Sequence, residues 1–136
     1  MGISVIKTSL LALTLSSALG CSSSFSRSDK PSENTILKDI NSYAIASCYT
    51  FLTEPYLMDQ GDAFASAVLQ RSQLHPDELT GLIDAVKIFS EQNPLPVVRS
   101  ENLADGDKTL PVLFCTEVIY DSAVRTEIDK LRANYH

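Results

Sequence analysis

Tryptophan is absent from this sequence, histidine occurs twice and cysteine three times, and the aromatic residues together make up 7% of 136 positions. So few rings argue against a stacking platform for sugars or bases. Cations are also scarce: 11 Lys and Arg stand against 17 Asp and Glu, a formal net charge of −6. Nucleic acid is excluded as a partner on that balance, because its binding rests on clustered cations that neutralise phosphates. A long apolar run is missing too. The best, residues 8–19, is short of the roughly 20 residues that cross a bilayer. The length suits one domain and is too small for two comfortable ones.

What is present begins at the N-terminus. Lys7 is the single charged residue of the first twenty, and the apolar run after it ends in the small residues Ala18 and Gly20. This is the layout of a secretory signal peptide. Ala18-Leu19-Gly20 suits an ordinary small-x-small cut, while Gly20-Cys21 resembles the end of a bacterial lipoprotein signal, with Ala18 and Leu19 in the reverse of the usual order. Cys21 is followed by Ser22-Ser23-Ser24 and a polar stretch, the composition of a flexible tether. The expected organisation is a signal peptide at 1–20, a Ser-rich tether at 21–33 and a helical domain at 34–136. The expected location is the periplasm, with a lipid on Cys21 and, from Ser22 behind it, tethering to the outer membrane. A free periplasmic protein with an idle or intermolecular thiol at Cys21 is the alternative.

Export also bears on the other cysteines, since an odd number in an oxidising compartment needs an explanation. Lipidation of Cys21 supplies it and leaves Cys48 and Cys115 to pair. Two buried free thiols, or a nucleophilic Cys, are the competing readings. A Cys nucleophile needs a His base, and the two candidates, His75 beside Pro76 and the terminal His136, are poorly placed for it. Three Cys and two His show no paired metal-ligand spacing, and no cofactor is expected.

Apolar residues recur every three or four positions from 34 to 54, with Cys48 on the apolar face and Pro55 as the stop. A short turn at 55–58 then leads into a second helical stripe, Ala63, Phe64, Ala67, Val68 and Leu69, whose small members predict close packing against a neighbour. Pro76 suits a first helical turn, with Leu79, Leu82, Ile83, Val86 and Phe89 behind it. Thr109 and Pro111 open a further helix with Val112, Cys115, Val118 and Ile119 inward, and Asp121 or Ser122 caps a last one carrying Val124, Ile128, Leu131 and Tyr135. Residues 93–108 have no period, two prolines and an Asp-Gly-Asp turn signal, which predicts one long loop; residues 95–99 suit at most a short extended segment. The fold class is all-α, a small bundle of four to five helices with one long loop and a Cys48–Cys115 disulfide.

Catalytic machinery does not assemble from these residues. Glu54, Asp59 and Asp62 fall near helix ends, where acids cap and solvate, and Asp105-Gly106-Asp107 lacks the later ligands of a calcium loop. The expectation is a protein that is not an enzyme.

Three stretches carry a resemblance. Ser42-Tyr43-Ala44-Ile45-Ala46-Ser47-Cys48 sets a Cys in the first helix. Asp59-Gln60-Gly61, an Ala/Ser-rich helix through Ala67, and Leu82-Ile83-Asp84 fill the interval. Leu113-Phe114-Cys115-Thr116-Glu117-Val118-Ile119-Tyr120-Asp121-Ser122 precedes the last helix. In order and spacing, over residues 42–132, the chain resembles the amidase immunity family of type VI secretion systems. It departs from the family pattern at Asp121, where His is usual, and in the 93–108 loop. The resemblance implies a periplasmic antidote that binds and blocks a secreted peptidoglycan amidase effector without chemistry of its own, that forms a homodimer, and that presents a loop and a helix to the enzyme. The contact residues expected here are Arg99, Glu101, Asn102, Asp105, Asp107 and Lys108 as polar readers, with Leu95 or Leu103 as anchors. A structural or assembly lipoprotein of the bacterial envelope is the alternative function.

Overall fold

The computed structural model describes residues 32–99, 101 and 106–135. Among them lie five α-helices: α1 (Glu33–Thr50), α2 (Pro55–Arg71), α3 (Thr80–Gln92), α4 (Pro111–Glu117) and α5 (Ser122–Asn134). Two 3-10 turns, Pro76–Glu78 and Val118–Tyr120, lead into α3 and out of α4. Two short strands, β1 (Val97–Val98) and β2 (Lys108–Thr109), complete the fold. The all-α bundle is the architecture that the helical periods predict. No helix of the described residues is long and apolar enough to cross a membrane.

Helix α1 is the centre. Ser32 caps it, its Oγ accepting the Thr35 N–H at 3.3 Å. Ile36, Ile40, Tyr43, Ala44 and Cys48 recur at helical spacing and are buried, and Ala46 and Ser47 are buried as well. With these residues covered on more than one side, α1 touches every other helix. Its closest neighbour is α2. At Gly61 a Cβ would lie 2.8 Å from Thr50 N and from Tyr49 Cβ, and 2.9 Å from Ala46 O, so only the missing side chain lets the two backbones approach. At the other end of the pair, Arg71 Nη2 reaches the buried Asp39 carboxylate at 3.3 Å. These two contacts run α2 antiparallel to α1.

The Cys48–Cys115 disulfide joins α1 to α4, with both residues fully buried. A closed loop spanning 67 positions stabilises the fold by about 4 kcal/mol on the chain-entropy account. Helix α5 starts where its sequence signal lies: Asp121 Oδ1 accepts from Ala123 N at 2.9 Å and Val124 N at 3.1 Å. Its inward face is Val124, Ile128 and Leu131, with Tyr135 half-buried beyond them.

Several expectations need correction. Helix α1 begins at Glu33, one residue before the expected domain start at 34, because Ser32 is already its cap. Pro55 does not stop the first helix with a turn at 55–58 behind it. It is the first residue of α2, where its missing N–H and fixed φ cost nothing, and α1 ends at Thr50. Within α2 the buried line is Gly61 and Val68, whereas Ala63, Phe64 and Ala67 face solvent. Val112 is likewise exposed and Phe114 takes its inward place, because α4 has only seven residues and gives way to a 3-10 turn that resets the period before Val118. Thr109 belongs to β2, and Leu110 stands at the cap position of α4 with no side-chain cap bond.

Two outcomes test this account. Reduction of the disulfide should lower unfolding free energy by about 4 kcal/mol, read as a fall in the urea midpoint between oxidising and reducing buffer. An unchanged midpoint would separate the bond from stability. Gly61→Val should cost roughly 1–3 kcal/mol by overpacking in the same assay, because the atoms it meets include backbone that cannot swing away.

Candidate functional site

Helix α3 ends at Asn93, whose Nδ2 and backbone N both donate to Phe89 O, at 2.9 and 3.1 Å. Pro94 and Pro96 then keep the chain extended. Val97 pairs with Thr109 and Val98 with Lys108 in antiparallel register, and Leu110 N donates to Pro96 O at 2.9 Å. The segment expected to be an irregular loop is therefore a two-stranded ribbon at its base. Period-2 alternation cannot reveal strands of two residues, so the available signals were the valine pair and the Gly106 turn, where φ is +65°.

Beyond the ribbon, Pro111 opens α4. Phe114 and Cys115 point inward: the Phe114 ring sits 5.0 Å from that of Phe89, tilted by 31°, and Cys115 is bonded to α1. Two fixed points, one on α3 and one on α1, thus orient a short helix whose other face carries Val112 and Leu113, 61% and 44% exposed. Val97 and Val98 on the ribbon and Tyr120 after α4 add further exposed apolar surface. Shallow hollows flank α4. One of about 490 Å³ is lined by Phe89, Pro94, Pro96, Phe114, Glu117 and Tyr120, and one of about 330 Å³ lies between α2 and α4, lined by Tyr49, Leu57, Gln60, Phe64 and Val112. Apolar surface gathered like this on a small domain marks an interaction site more often than a solvated face.

The residues singled out from sequence fall unevenly on this surface. Arg99, Glu101, Asp107 and Lys108 are exposed on or next to the ribbon. Leu95 is half-buried and packs against the domain's own core, which leaves Val97 and Val98 as the outward apolar residues of the segment. Asn102, Leu103, Asp105 and Cys21 lie outside the described residues. Val112, Leu113 and Tyr120 were missed because helical spacing marks an apolar residue without telling whether the chain itself covers it.

Chemical groups do not converge here. The disulfide occupies Cys48 and Cys115, which removes both as nucleophiles. Among the described residues no group of three His, Cys, Asp or Glu could hold a metal ion. Asp59 and Asp62 are exposed on α2, and Glu54 holds its cap position without a side-chain bond. The perturbed acids are tyrosines. Burial raises Tyr43 despite a hydrogen bond with Ser47, and burial raises Tyr49. Burial, reinforced by the bond to Glu78, pushes Tyr135 to about 12. The Tyr135 hydroxyl donates to Glu78 Oε2 at 2.6 Å and accepts from His75 N at 3.3 Å, tying the end of α5 to the turn before α3. These shifts belong to structure rather than to an acid–base site.

No family model, curated protein or solved structure matches the chain.

The exposed face predicts a separation of surface from stability: Val112→Asp combined with Leu113→Asp should leave the melting temperature within a few degrees of the parent, checked by circular dichroism. Tyr135 predicts a pH window. Its folded pKa lies above its ordinary value of 10, so the stability it contributes is complete below pH 10 and is lost as pH rises towards about 12. Urea titrations across that window should show a decline that Tyr135→Phe makes shallower, with the raised Tyr43 and Tyr49 supplying the rest.

Proposed function

We propose that this protein is a periplasmic immunity protein that binds a type VI secreted peptidoglycan amidase and blocks it by occlusion. The observation that carries this reading is the mounting of α4 and the ribbon. A covalent bond and a ring contact hold a seven-residue helix rigid while its apolar face stays uncovered. Pre-ordering a surface in this way lowers the entropic cost of association and so suits a tight stoichiometric inhibitor. Exposed Arg99, Glu101, Asp107 and Lys108 around the ribbon supply polar contacts that select the partner, with Val97, Val98, Val112 and Leu113 as its apolar centre.

In this reading the protein contributes no reaction. It fills the cleft of an enzyme that cuts wall crosslinks, and its disulfide forms after export directed by the segment at 1–20. A lipid on Cys21, with the polar residues behind it as tether, would keep the antidote at the outer membrane, where injected enzyme arrives. Proposed dimerisation follows only from the family likeness.

The test uses residues 22–136 as bait in the source organism, followed by a wall-hydrolysis assay on the small enzyme recovered. Inhibition that completes at one bait per enzyme is the expected result. Val112→Asp with Leu113→Asp should then weaken inhibition at least about 30-fold, the scale of a central apolar hot spot. Recovery of envelope or secretion components alone, with no enzyme inhibited, would replace this reading with that of an assembly lipoprotein.

A further inference from the structure

The hollow of about 490 Å³ between α3, α4 and the proline segment differs from the other apolar surface of this chain in holding a carboxylate. Phe89 and Phe114, with ring centroids 5.0 Å apart, line it from α3 and α4. Pro94 and Pro96 line it from the segment that leads into β1, and Tyr120, 73% exposed, from the turn after α4. Glu117 is the one charged residue of this lining, and it makes no hydrogen bond or ion pair with another described residue. Donors are scarce beside it. Pro94 and Pro96 have no N–H, and Asn93 directs both its backbone N and its Nδ2 at Phe89 O, so that its Oδ1 remains as an acceptor. The hollow thus offers aromatic rings, proline methylenes and acceptors, one of them anionic.

That lining selects a cation with an apolar stem. A guanidinium fits better than an ammonium, because it is planar and weakly hydrated, stacks on rings and can meet a carboxylate with two parallel N–H bonds. The methylenes behind it would lie against the prolines and rings. A free small molecule would fill the hollow alone, whereas Val97 and Val98, next along the chain from Pro96, are half exposed and need a larger body to cover them. A second copy of this chain is disfavoured as that body by its own net charge of −6. We propose that the hollow is a docking pocket for an arginine side chain of a heterologous protein, with the guanidinium on Glu117 and Tyr120 and the methylenes over Phe89, Phe114 and the prolines. The pocket's chemistry stands on these residues; it rests on the proposed function only for the identity of the arginine's carrier as an amidase.

The test is a nuclear magnetic resonance titration of the disulfide-bonded protein with the blocked peptide acetyl-Ala-Arg-Ala-amide, and with the same peptide carrying lysine or the neutral isostere citrulline. Shifts at Phe89, Asn93, Phe114, Glu117 and Tyr120, with contacts from the arginine methylenes to the rings, are the expected result. Citrulline in the peptide, or Glu117→Gln in the protein, should weaken binding at least about tenfold. Tyr120→Leu should weaken it about threefold, and Asp129→Asn, an equal charge change on the exposed face of α5, should leave it unchanged. Each variant's amide spectrum away from the hollow reports that its fold is intact. No shifts at the hollow, equal binding of the citrulline peptide, tighter binding of the lysine peptide or of free arginine, or equal losses from Glu117→Gln and Asp129→Asn would each overturn the proposal. The partner recovered with the bait then identifies the carrier. A partner that is not an amidase but loses affinity on Glu117→Gln would uphold the pocket and remove the immunity reading. An amidase inhibited equally by the parent and by Glu117→Gln would do the reverse.

Discussion

The bond between Cys48 and Cys115 is the constraint on which the shape of this molecule turns. Helix α4 is too short to be stable alone, since isolated helices below about a dozen residues are marginal in water. It buries only Phe114 and Cys115 of its own residues, with Val118 added by the turn that follows. Without a covalent tie to α1, the segment from β2 to Tyr120 would rest on one ring contact and a small patch of core. With it, the ribbon at one end of α4 and the entry to α5 at the other are both fixed, and Val112 and Leu113 keep a defined outward direction.

A second constraint acts on α2. Gly61 admits the α1 backbone so closely that the pair locks along one line, and the Arg71–Asp39 ion pair fixes the far end. Asp39 is buried and Arg71 about two-thirds so, and removing the guanidinium would take this cation from a buried carboxylate. Val68 is buried on the same side as Gly61 and Leu57 and Leu69 pack partly against the core, while Tyr56 and Phe64 remain exposed.

This explains what could and could not be read in the sequence. The five helices follow from spacing and from local chemistry: Ser32 and Asp121 accept N–H bonds as caps, and Pro55 and Pro111 open helices. Even so, Pro55 reads equally as a stop, and only the neighbour that α2 finds distinguishes the two. The Cys48–Cys115 pairing is reached from the count of cysteines on the expectation of export, a chemical argument that survives errors in helix boundaries. The faces were harder. A stripe such as Ala63, Phe64 and Ala67 reports amphipathicity, and spacing cannot tell whether the apolar side meets the chain's own core or a partner. The ribbon escaped because two-residue strands carry no period, and its exposed valines stand where a loop of polar readers was expected.

The uncovered surface has an energetic meaning of its own. Each large apolar side chain left in water forgoes about 1.5–3 kcal/mol of burial, and a domain of this size has few such groups to spare within a total stability of about 5–15 kcal/mol. Tyr56, Phe64, Val112 and Leu113 all remain at least one-third exposed. A fold selected for stability alone would repack them or replace them with charge. Here the disulfide contributes about 4 kcal/mol through the unfolded chain, which offsets part of the lost burial without covering any surface. The covalent bond and the exposed apolar faces are thus coupled: stabilisation taken from chain entropy frees side chains that would otherwise have to serve the core, and those side chains are the ones available to a partner.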